Sequence, residues 1–140
     1  MMMMSRGLHQ FYLAQAEGLW IRRSVNFPVI EIKDKTMLIA GLGGIGTEVA
    51  ERAHALGMRI LATRNSSRSG PDFVDYVGLS DELYELAKQA DVIVNTLPLT
   101  NSTRGMFDKQ FFDVVKRGAY YISVGRGETT VTNDLVNALK

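Results

Sequence analysis

Hydrophobic spacing divides the chain into two regimes. In the first, Met1, Met4, Leu8, Phe11, Tyr12, Ala16 and Leu19 recur close to every 3.6 residues. That spacing predicts one helix over residues 1–19 with a single apolar stripe, and Gly18 stands near its end. Residues 21–35 read as a connector containing Pro28, with a short extended piece at 29–32. From Lys35 the pattern changes, and short apolar runs alternate with helical spacing. Residues 36–40 predict a strand. Residues 44–56 predict a helix with Ile45, Val49, Ala53 and Leu56 inward and Gly57 just past its end. A second strand is expected at 59–63, a polar loop at 65–71 and a short third strand at 74–77. Ser80 reads as an N-cap with Asp81 and Glu82 in the first turn, where the helix dipole favours acids, and that helix runs to Gln89. A fourth strand at 91–97 is ended by Pro98. A short helix at 109–116, a fifth strand at 119–124 and a helix from Asn133, capped by Thr132, complete the chain.

Strands alternating with helices imply an α/β fold with a parallel, doubly wound sheet of about five strands. The run Val92-Ile93-Val94 suits a strand covered on both faces. The 140 residues make about one domain, and apolar types at 46% with charged types at 22% are ordinary for a globular protein. No apolar run approaches the ~18 residues of a membrane span. Residues 1–20 lack the small-residue cleavage site of a signal peptide. Sixteen basic residues against 15 acidic give a net charge of +1, which argues against nucleic-acid or membrane-surface binding driven by charge. The absence of cysteine excludes disulfides, thiolate nucleophiles and cysteine metal sites, and no His/Asp/Glu cluster has metal-ligand spacing. A cytoplasmic setting is compatible with this composition. The pattern starts inside one helix and stops inside another. The expectation is therefore an internal piece of a longer protein, with residues 1–34 an inter-domain helix and connector and 35–140 a C-terminally incomplete domain.

Gly41-Leu42-Gly43-Gly44-Ile45-Gly46 fits G-x-G-x-x-G. Alone the pattern is weak, but here it follows an expected strand and opens an expected helix, as in a Rossmann dinucleotide site. Gly41 would allow the tight turn, Gly43 the approach of a pyrophosphate and Gly46 close helix–strand packing. The helix N-terminus would hold the phosphates. NAD sites usually place an acid about 20 residues on, for the ribose 2′-hydroxyl. No acid stands between Arg52 and Pro71; Arg64 stands 18 residues after Gly46, followed by Asn65, Ser66, Ser67 and Arg68. Arginine can pair with a 2′-phosphate, and neighbouring hydroxyls can add hydrogen bonds. The cofactor expected is NADP in preference to NAD; the alternative is that Arg64 and Arg68 are solvated loop charges.

With these segments in order, the chain resembles the nucleotide-binding domain of the D-isomer-specific 2-hydroxyacid dehydrogenases, which include glyoxylate/hydroxypyruvate reductases, D-lactate dehydrogenases and phosphoglycerate dehydrogenases. The resemblance rests on KTMLIAGLGGIGTEVAERAHALGM at 35–58, ADVIVNTLPLTNSTRGMFD at 90–108 and FFDVVKRGAYYISVGRGETTVTNDLVNAL at 111–139. It implies that Gly44 and Ile45 face the pyrophosphate, and that Leu97 and Pro98 line the adenine and ribose side. It places Thr103 near the nicotinamide half, and Val124 and Gly125 beneath the nicotinamide. It implies that Arg126 is the catalytic arginine, binding the substrate carboxylate and polarising the keto oxygen. Ser123 departs from the family, where many members carry Asn. Independently of the family, Arg126 lies past the end of an expected strand between Gly125 and Gly127, at the sheet edge where ligands bind.

The resemblance implies an oxidoreductase acting by hydride transfer between a small 2-keto acid and its D-2-hydroxy acid, and a homodimer built partly on the first helix. Such chemistry needs a proton donor, usually histidine tuned by a carboxylate. The family draws that pair from beyond the arginine motif. His9 and His54 read as surface or packing residues, so the chain as written is expected to be inactive alone. The competing reading is a non-catalytic module that senses a dinucleotide or engages a partner. A third is a truncated product without function.

Overall fold

The computed structural model describes residues 1–22 and 29–140. Five parallel strands form one sheet in the order β3-β2-β1-β4-β5. They are β1 (Thr36–Ala40), β2 (Arg59–Arg64), β3 (Tyr76–Leu79), β4 (Val92–Asn95) and β5 (Tyr120–Ser123). The chain winds outward from β1 through β2 to β3, then returns to β1's other side for β4 and β5. All five residues of β1 are buried. Thr36 to Ala40 pair with Arg59 to Thr63 on one side, and Met37 to Ala40 pair with Val92 to Asn95 on the other. A strand with no solvent face has no use for alternating polar residues, hence the continuous apolar runs.

Helices α3 (Gly44–Ala55), α4 (Leu83–Ala87), α5 (Lys109–Val114) and α6 (Thr132–Ala138) accompany the sheet; α1 (Met2–Ser5) and α2 (Leu8–Ala16) precede it. Alternate residues of β1 serve opposite layers, as the two-residue period of a strand requires. Met37 and Ile39 join Ile60, Val94 and the α3 alanines Ala50 and Ala53, while Leu38 and Ala40 join Leu61, Ile93, Leu83, Leu86, Phe107 and Phe111. Phe107 and Phe111 meet edge to face at 4.8 Å and 89°, the favoured aromatic geometry.

Two carboxylates close the amino-terminal edge of the sheet. Asp75 accepts the Ile60 N–H at 2.7 Å, and Asp91 accepts the Thr36 N–H at 2.8 Å. Each satisfies a strand-entry amide that the ladder leaves unpaired. Asp91 also meets Lys116 Nζ at 3.0 Å. Partial burial alone would raise the Asp91 pKa, but the Thr36 amide and Lys116 outweigh it and hold the carboxyl below the usual range.

Several local expectations need correction. The opening segment is two helices, because Gly7 adopts φ 64° and turns the chain between them. Its apolar stripe is largely uncovered: Met4, Leu8, Tyr12 and Leu19 are exposed, and the buried positions are Ser5, Gly7 and Ala14. Residues 29–32 form no strand, although Ile32 is buried and the Ile30 N–H reaches the Ser5 carbonyl at 2.8 Å. Pro28 lies outside the described residues. Strand β3 starts two residues late, since Val74 closes a turn on Pro71 and Asp75 is used as the β2 cap. The segment from Ser80 is a 3-10 turn (Ser80–Glu82) leading into α4. Neither Ser80 nor Thr132 caps through its hydroxyl. The Glu82 carboxylate instead reaches back to the Leu79 N–H at 2.8 Å. In α3, Ala53 is buried and Val49 packs against the core as expected, but the fully buried positions beside Ala53 are Gly46 and Ala50, and Ile45 and Leu56 are exposed, because the start of the helix lies too close to β1 for a large side chain beneath it.

Replacing Asp91 with alanine leaves the buried Thr36 amide without an acceptor. The expected loss at neutral pH is ~1–3 kcal/mol in denaturant unfolding. A carboxyl whose pKa is depressed on folding contributes fully above its unfolded pKa, and that contribution is lost as pH falls through the folded value. The gap between wild type and Asp91→Ala is therefore expected to be constant near neutrality and to narrow below the ordinary carboxylate range.

Candidate functional site

The carboxyl edge of the sheet, between β1 and β4, is where the winding reverses, and ligands of open α/β sheets bind at that switch point. The loop from β1 to α3 is built for close approach. Gly41 turns at φ 99°, a conformation unfavourable for a residue with a side chain. At Gly46 a Cβ would stand 2.3 Å from the Gly41 carbonyl oxygen and 2.9 Å from Ile39 Cγ2, so only glycine fits between helix and strand. Gly43 and Gly44 face open space, with nothing within 4 Å of a built Cβ. The first-turn N–H groups of α3 point out at this edge without helical acceptors.

Thr96 ties the opposite bank to this loop. Its hydroxyl donates to the Gly41 carbonyl at 2.6 Å and lies 3.1 Å from that of Ala40. Thr96, Leu97 and Pro98 are shared by two adjoining cavities. One, of 330 Å³, is bounded by Gly41, Leu42, Gly43, Arg64, Asn65, Ser66 and Ser67. The other, of 630 Å³, is bounded by Ile45, Leu99, Val124, Gly125, Arg126 and Glu128.

Arg64 is partly committed. Its Nε donates to the Leu42 carbonyl at 2.9 Å and its Nη1 to that of Ser69 at 3.1 Å. It thereby stitches the glycine loop to the loop after β2, while Nη2 has no partner among the described residues. Arg68 turns away: it pairs with Glu82 at 2.6 Å and with the Tyr76 hydroxyl at 2.9 Å. The Tyr76 hydroxyl, then the Leu79 amide, holds the Glu82 carboxyl below its usual range. Arg126 makes no side-chain hydrogen bond or ion pair among the described residues, and Glu128 beside it does not pair with it.

Thus the structure brings Gly41, Gly43, Arg64, Asn65, Ser66, Leu97 and Pro98 around one cavity and Ile45, Leu97, Pro98, Val124, Gly125 and Arg126 around the next. Gly46 lies beneath the loop and Gly44 on its outer side, next to Glu48 and Arg52. Thr103 lines neither cavity. It is 8% exposed, and its hydroxyl donates to the Pro98 carbonyl at 2.6 Å and accepts the Thr100 N–H at 2.8 Å, which fixes the loop carrying Pro98. Neither histidine lines the cleft; His54 is exposed on α3, its ring 5.9 Å from that of Phe73. The cavity-lining residues missed from sequence are Leu42, Thr96, Leu99 and Glu128. Thr96 had a signal, a hydroxyl at the carboxyl end of a buried strand two residues before a proline.

Gly46→Ala tests the close approach. The added methyl has backbone below it and cannot be relieved by a side-chain rotation, so a loss of at least ~1–3 kcal/mol is expected in thermal or denaturant unfolding. Gly43→Ala, with open space around it, is expected to leave stability within about 1 kcal/mol of wild type.

Over residues 1–140 the chain matches the family model described as the D-isomer specific 2-hydroxyacid dehydrogenase, NAD binding domain. A D-specific alpha-keto acid dehydrogenase of Enterococcus faecalis is 35% identical over 109 residues, 78% of this chain and 32% of that protein. An NAD-dependent formate dehydrogenase of Staphylococcus aureus, solved with NAD, superposes with a TM-score of 0.87 at 27% identity, over 99% of this chain and 41% of its own. An acyclic imino acid reductase solved with NADPH and D-arginine superposes with a TM-score of 0.86 at 26% identity, over 98% of this chain and 43% of its own. The chain therefore spans about a third of the length of that curated relative and well under half of either solved chain. Among the described residues, no helix is long and apolar enough to cross a membrane.

Proposed function

The chain belongs to the D-isomer-specific 2-hydroxyacid dehydrogenase family, as its NAD-binding domain, and from that premise we propose that it is the NADP(H)-binding half of an enzyme interconverting a small 2-keto acid and its D-2-hydroxy acid. The observation that carries the reading is the cleft at the switch point, with Arg64 on one bank and Arg126 past the other. A dinucleotide laid across Thr96–Pro98 would set its pyrophosphate over Gly43, Gly44 and Ile45 at the α3 N-terminus. Its adenine ribose would fall beside Arg64, Asn65 and Ser66, where no carboxylate repels a 2′-phosphate. Arg64 Nη2 and the Ser66 hydroxyl are the groups offered to that phosphate. The nicotinamide would lie against Val124 and Gly125, within reach of a substrate held by Arg126. A guanidinium not engaged by the protein can form a bidentate pair with a carboxylate. NADP(H), when bound, supplies the hydride; this chain's residues bind and orient it. We assign the proton to a histidine outside this chain, since His9 and His54 stand apart from the cleft. The residues before Lys35 act in this reading as the inter-domain segment. Their uncovered apolar face, including Tyr12 at 70% exposed, fits a homodimer. The lack of cysteine fits a cytoplasmic enzyme.

Parallel calorimetric titrations with NADPH and NADH test the cofactor assignment. Tighter binding of NADPH is expected. Arg64→Asp is expected to reverse the preference by tenfold or more, since a charge-assisted hydrogen bond contributes ~1.5–3 kcal/mol. An unchanged ratio would reduce Arg64 to a loop brace. For the dimer, sedimentation is expected to show concentration-dependent association that Tyr12→Arg weakens.

A further inference from the structure

We propose that Asn95 and Thr129 are positioning residues, a buried bridge that sets the spacing between the Leu97 wall of the cleft and Arg126. The functional meaning of the bridge rests on the reading of the cleft as a dinucleotide site; its geometry does not. Both side chains are 0% exposed. Asn95 ends β4, where its Oδ1 accepts the Leu97 N–H at 3.0 Å. Its Nδ2 donates to Thr129 Oγ1 at 2.8 Å and to Ser123 Oγ at 3.1 Å. The Thr129 hydroxyl then donates to the Arg126 carbonyl at 2.7 Å. Because Thr129 gives its one proton to Arg126, it must accept from Asn95, so the amide orientation is fixed at both ends.

The chain of hydrogen bonds therefore runs from one wall of the cavity to the backbone of the other. The fit between the walls is close: a Cβ on Gly125 would stand 2.7 Å from the Leu97 carbonyl oxygen. Burying an amide at the end of a strand whose other residues are valine and isoleucine carries a desolvation cost, which the hydrogen bonds offset. A fully satisfied buried network holds one geometry where apolar packing would tolerate several. Its terminus is the backbone of the arginine whose side chain the protein leaves unengaged. Fixing that backbone sets the point from which the side chain reaches into the cleft without using any guanidinium donor, so all of them stay available to a substrate.

The test compares Thr129→Val, which keeps the shape and removes the hydroxyl, with Thr129→Ser, which restores it. In the ligand-free chain, Thr129→Val is expected to speed amide exchange at Leu97 and Thr129 by about tenfold or more relative to Leu38 of β1, and Thr129→Ser to return it. Unchanged exchange at Leu97, or an equal rise at Leu38, would overturn the bridge. NADPH and adenosine 2′,5′-bisphosphate, a probe that reaches only the Arg64 side, supply the second readout. Thr129→Val is expected to weaken NADPH about tenfold and to spare the bisphosphate; equal loss of both would overturn the positioning role. Failure of the parent chain to bind either ligand would sink the dinucleotide reading alone, with the exchange pattern still deciding the bridge.

Discussion

The contact on which the rest depends is the one between Gly46 of α3 and the Gly41 carbonyl. A helix can lie this close to the end of a central strand only if it presents hydrogen where every other residue presents carbon. Small side chains must then continue down the same face, and they do, as Ala50 and Ala53. The larger residues of α3 are displaced as a result, and Ile45 ends up over the cleft. Close approach also aims the free amides of the first turn at the switch point between β1 and β4. The site is thus a consequence of packing. The same few atoms that seat the helix clear the space in front of it.

Fold and site were legible in the sequence to different depths. The strand–helix alternation read correctly because a five-residue strand buried on both faces and a glycine past a helix end leave strong marks. Errors came where a side chain chose a tertiary partner over a local one. Asp75 serves β2, so β3 starts late; Glu82 serves Leu79, so Ser80 is not the cap. The inward face of α3 was half legible: Ala53 is buried and Val49 packs against the core, but Ile45 and Leu56 were drawn inward by their size, whereas the closest approach of the helix is taken by Gly46 and Ala50. The single stripe expected over residues 1–19 did not hold, because Gly7 turns the chain and splits the segment into two helices; periodicity also cannot say whether this chain covers the apolar residues. At the site, glycines and arginines were visible because each carries a specific chemistry at a recognisable spacing. Thr96 was not, because a threonine at a strand end has many uses and only the structure shows its hydroxyl on the Gly41 carbonyl.

The sheet manages its two ends in opposite ways. At the amino edge, unpaired amides meet carboxylates, Ile60 with Asp75 and Thr36 with Asp91, and the edge is closed. At the carboxyl edge the amides of the α3 start are left open, and among the described residues no carboxylate caps them. An acid there would offset the positive end of the α3 dipole, at the expense of a site for an anion. The acids of the chain are distributed accordingly. Residues 53–70 carry none, and Glu82 is drawn off by Arg68 and Tyr76.

The two cleft arginines differ in the same sense. Arg64 is tied to two backbone carbonyls, so its position is set before anything binds. Its remaining N–H donors are preorganised, and a ligand meeting them loses little entropy in ordering the side chain. That suits a partner present in every turnover, as the cofactor would be. Arg126 is fixed at its backbone and free at its guanidinium. A free guanidinium can follow a carboxylate through approach, reaction and release, and can reach a substrate brought from outside this chain. In the proposed reading, a pair between Arg126 and Glu128 would have to break before a substrate carboxylate could bind. Leaving it unpaired at the mouth of a solvent-open cavity costs little, because water solvates the charge.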